Sequence, residues 1–105
     1  MIEVHLTRVF IPLADNEGVP FLKRLFLQTE IELRAKFGGL TVWGEVRGQW
    51  VGPSGRLDVD KHRVYEIAHP GRERVWWELI KETLQVRFTQ EEIWILQSSS
   101  GWKML

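Results

Sequence analysis

The chain has 105 residues, 44% of them hydrophobic, which is enough for one core and too little for two ordinary domains. Lys and Arg together number 14, as do Asp and Glu, so no net charge draws the chain to nucleic acid, an anionic membrane or an acidic partner. Cysteine is absent, which excludes disulfides and thiolate chemistry and is typical of a reducing compartment. No apolar run approaches the ~20 residues that span a bilayer, and the start of the chain lacks the pattern of a signal peptide. We therefore predict a single domain over residues 1–105, cytoplasmic and without a membrane segment.

A strand is predicted over residues 2–13, ending near Pro12 because proline has no amide donor. Its residues alternate between an apolar set that we assign to the core, Ile2, Val4 and Leu6, and a polar set that we assign to the outside, Glu3, His5 and Thr7.

A helix is predicted from Pro20 to Phe37. Its buried stripe has spacings of three and four residues and comprises Leu22, Leu25, Phe26, Thr29, Leu33 and Phe37. Phe21, Leu27 and Ile31 lie off that stripe and widen the apolar surface, so we expect a partner to cover part of it. Gly38 and Gly39 end the helix, since glycine adopts the left-handed cap conformation at the lowest cost.

Residues 40–68 predict a long β-hairpin with its turn at 51–56. We assign to the core Leu40, Val42, Val46 and Trp50 of the first arm and Leu57, Val59, Tyr65 and Ile67 of the second. The outward set is Thr41, Trp43, Glu45, Arg47, Gln49, His62, Val64, Glu66 and Ala68. The interior glycines Gly44 and Gly48 predict bulges or strong bending in the first arm.

A second helix follows Pro70 and Gly71, with a predicted buried stripe of Trp76, Leu79, Ile80, Thr83, Leu84 and Phe88. Trp77 is predicted beside this stripe and partly exposed. Residues 92–97 predict the last strand, and residues 98–101 predict a loop, after which Trp102 and Leu105 can dock the tail.

The order β-α-β-β-α-β predicts an α+β, ferredoxin-like fold. In that topology a four-stranded antiparallel sheet, ordered 4-1-3-2, carries both helices on one face and leaves the other face open. We call this uncovered side the open face and assign Trp94 of the last strand to it.

Two segments of the hairpin carry a family resemblance: Phe37-Gly38-Gly39-Leu40-Thr41-Val42 and Gly48-Gln49-Trp50. With an acidic residue near Asp60, Arg63-Val64 and His69-Pro70, they resemble a family of small, uncharacterised bacterial domains of unknown function that share a G-L-T-V…G-Q-W motif. The likeness covers roughly residues 19–95 and implies a ferredoxin-like fold. It brings no reaction, cofactor or site residues. Some members carry a signal peptide, whereas this chain starts at its first strand.

The predicted open face collects candidate acid and base groups. His5, His62, Glu45 and Glu66 are the catalytic candidates, because cross-strand neighbours come within ~5 Å of each other and a His beside a carboxylate can relay a proton near neutral pH. Trp43, Arg47, Tyr65 and Trp94 are the candidate ligand or interface residues. The alternative is that the polar residues merely solvate an uncovered sheet.

Other classes of site are disfavoured. The histidines have no local pairing of the His-x-x-x-His kind, so we predict no metal and no cofactor. Gly52-Pro53-Ser54-Gly55 lacks the Lys of a phosphate-binding loop and leads into a strand, as a turn does. The third strand lacks the aromatic motif of RNA-recognition modules, so nucleic-acid binding is not predicted.

The tryptophans indicate an interface. Trp43 and Trp94 would leave several hundred Å² of apolar surface on the open face, and a homodimer is the simplest cover; bent strands could instead bring the rings into the core. We predict a self-associating domain that binds a protein or small-molecule ligand through its open face. The alternative is a small dimeric enzyme, monooxygenase-like or isomerase-like, with an acid/base site of His and Glu on that face. The sequence does not decide whether the protein is an enzyme.

Overall fold

The computed structural model describes residues 2–103, and the side chains of residues 3–99. Its elements are β1 (Ile2–Pro12), α1 (Lys23–Phe37), β2 (Thr41–Val51), β3 (Leu57–His69), α2 (Arg74–Arg87) and β4 (Trp94–Lys103). All strand pairs are antiparallel in the order β2-β3-β1-β4, which is the predicted order read from the other edge. The predicted α+β ferredoxin-like fold is confirmed. In the described part of the chain, neither helix is long and apolar enough to cross a membrane.

Helix α1 ends as predicted. Gly38 adopts the left-handed conformation at φ 83°, and its amide donates to the Arg34 carbonyl. The helix begins at Lys23 rather than Pro20, because Pro20 instead forms an isolated β-bridge with Ala14. The core between the helices and the sheet contains Val9, Ile11, Phe26, Leu33, Tyr65, Ile67, Trp77, Ile80, Leu84, Phe88 and Ile93.

Helix α2 is rotated relative to its predicted stripe. Trp77 is buried and Leu79 is exposed, the reverse of the prediction. The cause is ring packing, since the Trp77 indole stacks on Phe37 with centroids 5.1 Å apart and planes 13° from parallel. An aromatic pair of this kind contributes more than its area alone.

The predicted faces of β1 are wrong at His5, Leu6 and Thr7, whereas Val4 is buried and Glu3 is exposed as predicted. Thr7 pairs with Ile67 and is fully buried against the helices, while Leu6 on the alternate phase pairs with Ala68 on the open face. Thr7 lies inside because its hydroxyl is satisfied: Thr7 Oγ1 is 2.6 Å from His69 Nε2, and Gln97 Nε2 donates to it at 3.1 Å. A polar group with such partners can be buried at little cost.

The predicted hairpin is confirmed, and β2 contains the predicted irregularity. Trp43 pairs with Val64 and Val46 with His62, so β2 carries one extra residue around Gly44. Such a bulge exchanges the faces of all later residues. Val46 and Trp50, predicted in the core, therefore lie on the open face, and Arg47, predicted on the open face, takes a strand position of the opposite phase.

Strand β4 is longer than predicted. The serine run expected as a loop pairs with β1, with Ser98 opposite Leu6 and Gly101 opposite Val4. The extra residue between Ser98 and Gly101 forms a second bulge, which interrupts the ladder without ending the strand. The predicted docking of Trp102 and Leu105 concerns side chains outside the described residues.

The hairpin extends beyond the rest of the sheet. Strand β1 ends at Pro12 opposite His62, so residues 46–61 form a two-stranded ribbon that we call the hairpin arm. Leu57 and Val59, predicted in the core, are exposed because no helix lies behind the arm. The radius of gyration is 14.9 Å, compared with about 13 Å for a compact chain of this length.

Candidate functional site

The hairpin arm bends across the open face. Trp50 on β2 contacts Trp94 on β4, although these strands are opposite edges of the sheet and would lie about 14 Å apart if it were flat. The bend encloses a groove of about 1350 Å³. Its principal lining residues are Phe10, Trp43, Val46, Trp50, His62 and Trp94.

Trp50 and Trp94 form a corner of two aromatic rings. Their centroids are 5.1 Å apart and their planes meet at 74°. Gly48 makes room for this arrangement, since a Cβ atom at that position would lie 3.1 Å from Trp50 Nε1. The Gly48-Gln49-Trp50 segment therefore has a structural role. Because Gly48 has no side chain, the Trp50 indole can fold back along its own strand.

The aromatic lining is accessible. Trp43, Trp50 and Trp94 are 50%, 44% and 45% exposed, which leaves on the order of 300 Å² of indole surface in contact with water. Patches of this size on a monomer are often functional. The prediction that Trp43 and Trp94 face outward is confirmed.

His62 lies on the floor of the groove. Its ring meets the edge of Phe10 with centroids 6.3 Å apart. Partial burial lowers the pKa of His62 below its ordinary value, and the neighbouring Asp60 carboxylate opposes that effect. The imidazole is therefore mostly neutral at pH 7, and one ring nitrogen can accept a hydrogen bond or a proton.

The charged side chains around the groove are unevenly paired. Arg8 Nε donates to Glu66 at 2.7 Å, and Lys61 lies 3.4 Å from Glu45. Asp60 lines the groove without a Lys or Arg partner among the described side chains.

The four catalytic candidates do not form one cluster. His62 and Glu66 share the open face, and Glu45 lies exposed at the β2 bulge. His5 lies on the helix side, with its ring centroid 6.1 Å from that of His69, and its Nδ1 is buried without a hydrogen-bond partner among the described side chains. The predicted placement of His5 beside His62 is wrong, because β1 has the opposite phase.

Of the ligand candidates, Tyr65 lies away from the groove and Arg47 lies at its border. Tyr65 is fully buried on the helix side, where its hydroxyl donates to Glu30 at 2.7 Å. Burial and the Glu30 carboxylate raise the pKa of Tyr65 well above its ordinary value, so the hydroxyl stays protonated. Arg47 borders the groove, although its strand position belongs to the opposite face.

The sequence prediction missed Trp50, Phe10 and Asp60 as groove residues. The position of Trp50 on the open face could have been predicted from the sequence. The bulge that Gly44 indicates exchanges the faces of all residues that follow it in β2. Within residues 3–99, no group of three or more His, Asp or Glu side chains could hold a metal ion.

Comparison with solved structures finds chains of similar fold. A phage SAM lyase in complex with S-methyl-5'-thioadenosine superposes with a TM-score of 0.69 at 16% sequence identity, covering 96% of this chain and 84% of that chain. At this identity the likeness shows a shared fold. No family model and no curated protein matches the sequence, so the resemblance to the uncharacterised bacterial family stays a prediction.

Proposed function

We propose that this chain binds a small molecule with a planar heteroaromatic ring, of the nucleoside class, in the groove on the open face. The observation that carries the proposal is the accessible aromatic corner of Trp50 and Trp94 beside a neutral His62. Ligand sites in proteins combine apolar and aromatic walls with a few polar groups that fix orientation, and this groove has both. The shared fold with a lyase that holds S-methyl-5'-thioadenosine supports this class of ligand.

The polar groups suit such a ligand. A neutral imidazole accepts a hydrogen bond from a ribose hydroxyl or an exocyclic amine, and the Asp60 carboxylate can do the same. Stacking of a base on an aromatic side chain contributes about 1–3 kcal/mol. The rings therefore supply affinity, and His62 and Asp60 supply orientation.

Isothermal titration with adenosine and S-methyl-5'-thioadenosine tests the proposal. Trp94→Leu should weaken binding by about five- to 150-fold, which is the stacking energy expressed as a ratio. Trp76→Leu is the matched control, because Trp76 is also a partly buried indole but lies on the helix side. Absence of binding at millimolar ligand, or equal affinity in Trp94→Leu and wild type, would refute the proposal.

An enzyme is the second candidate, favoured by one observation: the imidazole that faces the groove is held neutral, as a general base requires. In this function His62 removes a proton from the bound molecule, and the rings of Trp50 and Trp94 hold that molecule in place. Mass spectrometry of S-adenosylmethionine incubated with the protein tests it. His62→Gln should abolish any turnover while leaving ligand affinity within a few fold.

We also propose that the chain self-associates as a homodimer, through surface away from the groove. The support is apolar exposure on the helix side of the hairpin arm, at Val51 and Leu57, and on α1 at Leu27 and Ile31. Sedimentation at micromolar concentration should give a mass above that of the monomer, and Leu57→Lys should reduce it. A strict monomer at these concentrations would exclude the dimer.

A further inference from the structure

The aromatic corner has the geometry that recognises organic cations. Two indole rings at 74° form adjacent walls of a cage, and Trp43 and Phe10 lie on the same face of the sheet. The face of an aromatic ring carries negative electrostatic potential, and tryptophan binds cations more strongly than tyrosine or phenylalanine does.

Carboxylates lie beside this corner. Asp60 is directly opposite Gly48, over which the Trp50 ring folds, and Asp58 is directly opposite Trp50 itself. Cross-strand partners have Cβ atoms about 5 Å apart, which places Asp58 beside Trp50. Of the two carboxylates, Asp60 lines the groove, and that of Asp58 lies towards Gly52 at the turn.

Two of the three Lys and Arg side chains that line the groove are paired with carboxylates. Arg8 is held by Glu66 and Lys61 by Glu45, while Arg47 borders the groove from a strand position on the opposite face of β2. His62 contributes no charge in its neutral form. The groove at Trp50 therefore combines aromatic faces with the negative charge of Asp60, which has no Lys or Arg partner among the described side chains.

We infer that the corner formed by Trp50 and Trp94, with Asp60 beside it, binds an onium group: a quaternary ammonium or sulfonium centre of a small organic molecule. This inference rests on the proposed function, because it uses the same groove and specifies the charge of the ligand. The onium group lies against the two indoles, and the Asp60 carboxylate balances its charge without a direct hydrogen bond, since onium centres have no N–H to donate.

Three probes of similar shape and different charge test the inference: choline, trimethylsulfonium and the neutral isostere of choline, 3,3-dimethylbutan-1-ol. Binding is followed by NMR titration of the indole N–H resonances of the full chain. Both cations should bind about two- to fivefold more tightly than the neutral alcohol, as expected for a cation–π contact with partly exposed rings.

The variants separate charge from packing. Asp60→Asn should weaken cation binding by about three- to tenfold and leave the neutral alcohol unchanged, because a carboxylate at roughly 5 Å acts through its charge. Glu78→Gln is the control, since Glu78 is an exposed carboxylate on α2, paired with Arg74 and remote from the groove. Equal affinities for the cations and the alcohol, or equal effects of the two substitutions, would overturn the inference.

The outcome is distinguishable from that of the nucleoside titration. If adenosine binds in the groove and the cations bind no better than the alcohol, the onium inference fails and the proposed function stands. If the cations bind with the expected dependence on Asp60 and no nucleoside binds, the onium inference stands and the nucleoside class is wrong. If no probe binds at millimolar concentration, both are refuted.

Discussion

Replacing Gly48 by alanine should disturb the aromatic corner in a way that can be measured. The new Cβ would lie 3.1 Å from Trp50 Nε1 and 3.4 Å from two ring carbons. Unstrained contacts of this kind lie near 3.5–4.0 Å, so the indole must retreat by roughly 0.5 Å. That movement weakens the edge-to-face contact with Trp94, which contributes about 0.5–1.5 kcal/mol beyond its buried area.

Gly44→Ala is the matched control for this substitution. Gly44 lies in the same strand, no atom lies within 4 Å of its Cβ position, and its φ is outside the left-handed region. Both substitutions reduce the entropy of the unfolded chain, which stabilises the fold by about 0.4–1 kcal/mol. Gly48→Ala should therefore be less stable than Gly44→Ala by about 1 kcal/mol.

Urea unfolding measures the free-energy difference, and the Trp50 indole N–H resonance reports the ring directly. Gly48→Ala should shift that resonance and Gly44→Ala should leave it in place. Equal unfolding free energies within about 0.3 kcal/mol, together with an unmoved Trp50 resonance, would show that Gly48 does not accommodate the ring.

Three other perturbations test a buried hydrogen bond, the pH dependence of stability and the cap of helix α1. Tyr65→Phe removes the buried hydrogen bond to Glu30 and should destabilise the chain by about 1.5–3 kcal/mol, measured by urea unfolding; a loss below about 0.5 kcal/mol would contradict the bond's role. Burial lowers the pKa values of His62 and His69 below 6.5, so the unfolded chain binds more protons than the folded chain in mild acid. Stability should be complete above pH 6.5 and decrease below it, and His62→Gln should flatten this dependence in unfolding experiments at pH 5.5 and 7.5. An unchanged pH dependence in that variant would assign the effect to other groups. Gly38→Ala forces a side chain into the left-handed cap at φ 83° and should cost about 1–2 kcal/mol, with Gly39→Ala as a neighbour that has no positive φ; equal thermal stabilities would argue against the cap.

The sequence predicted the element order well because its signals were local. Gly38 ended α1, and the turn formers between residues 51 and 56 closed the hairpin, as expected. These features depend on one or two residues and their immediate neighbours, so the wider fold does not alter them.

The faces of the strands were harder to predict because they depend on distant partners. Thr7 is buried only because His69 and Gln97, 62 and 90 residues away, satisfy its hydroxyl. One extra residue at the β2 bulge moved Trp50 from the predicted core to the groove. The candidate site was therefore assigned to the correct face of the sheet, with Trp43, Trp94 and His62. The groove residues Trp50, Phe10 and Asp60 were missing from that assignment.

The hairpin arm should open locally more often than the rest of the sheet. Beyond Pro12 it has no third strand beside it, and a two-stranded ribbon is only marginally stable by itself. Its contact with the rest of the molecule includes the edge-to-face pair of Trp50 and Trp94. The arm is therefore a unit of local unfolding that opens at a smaller free energy than the whole domain. Its amides should exchange with solvent faster than those of β3 beside β1, and a ligand bound in the groove should slow that exchange.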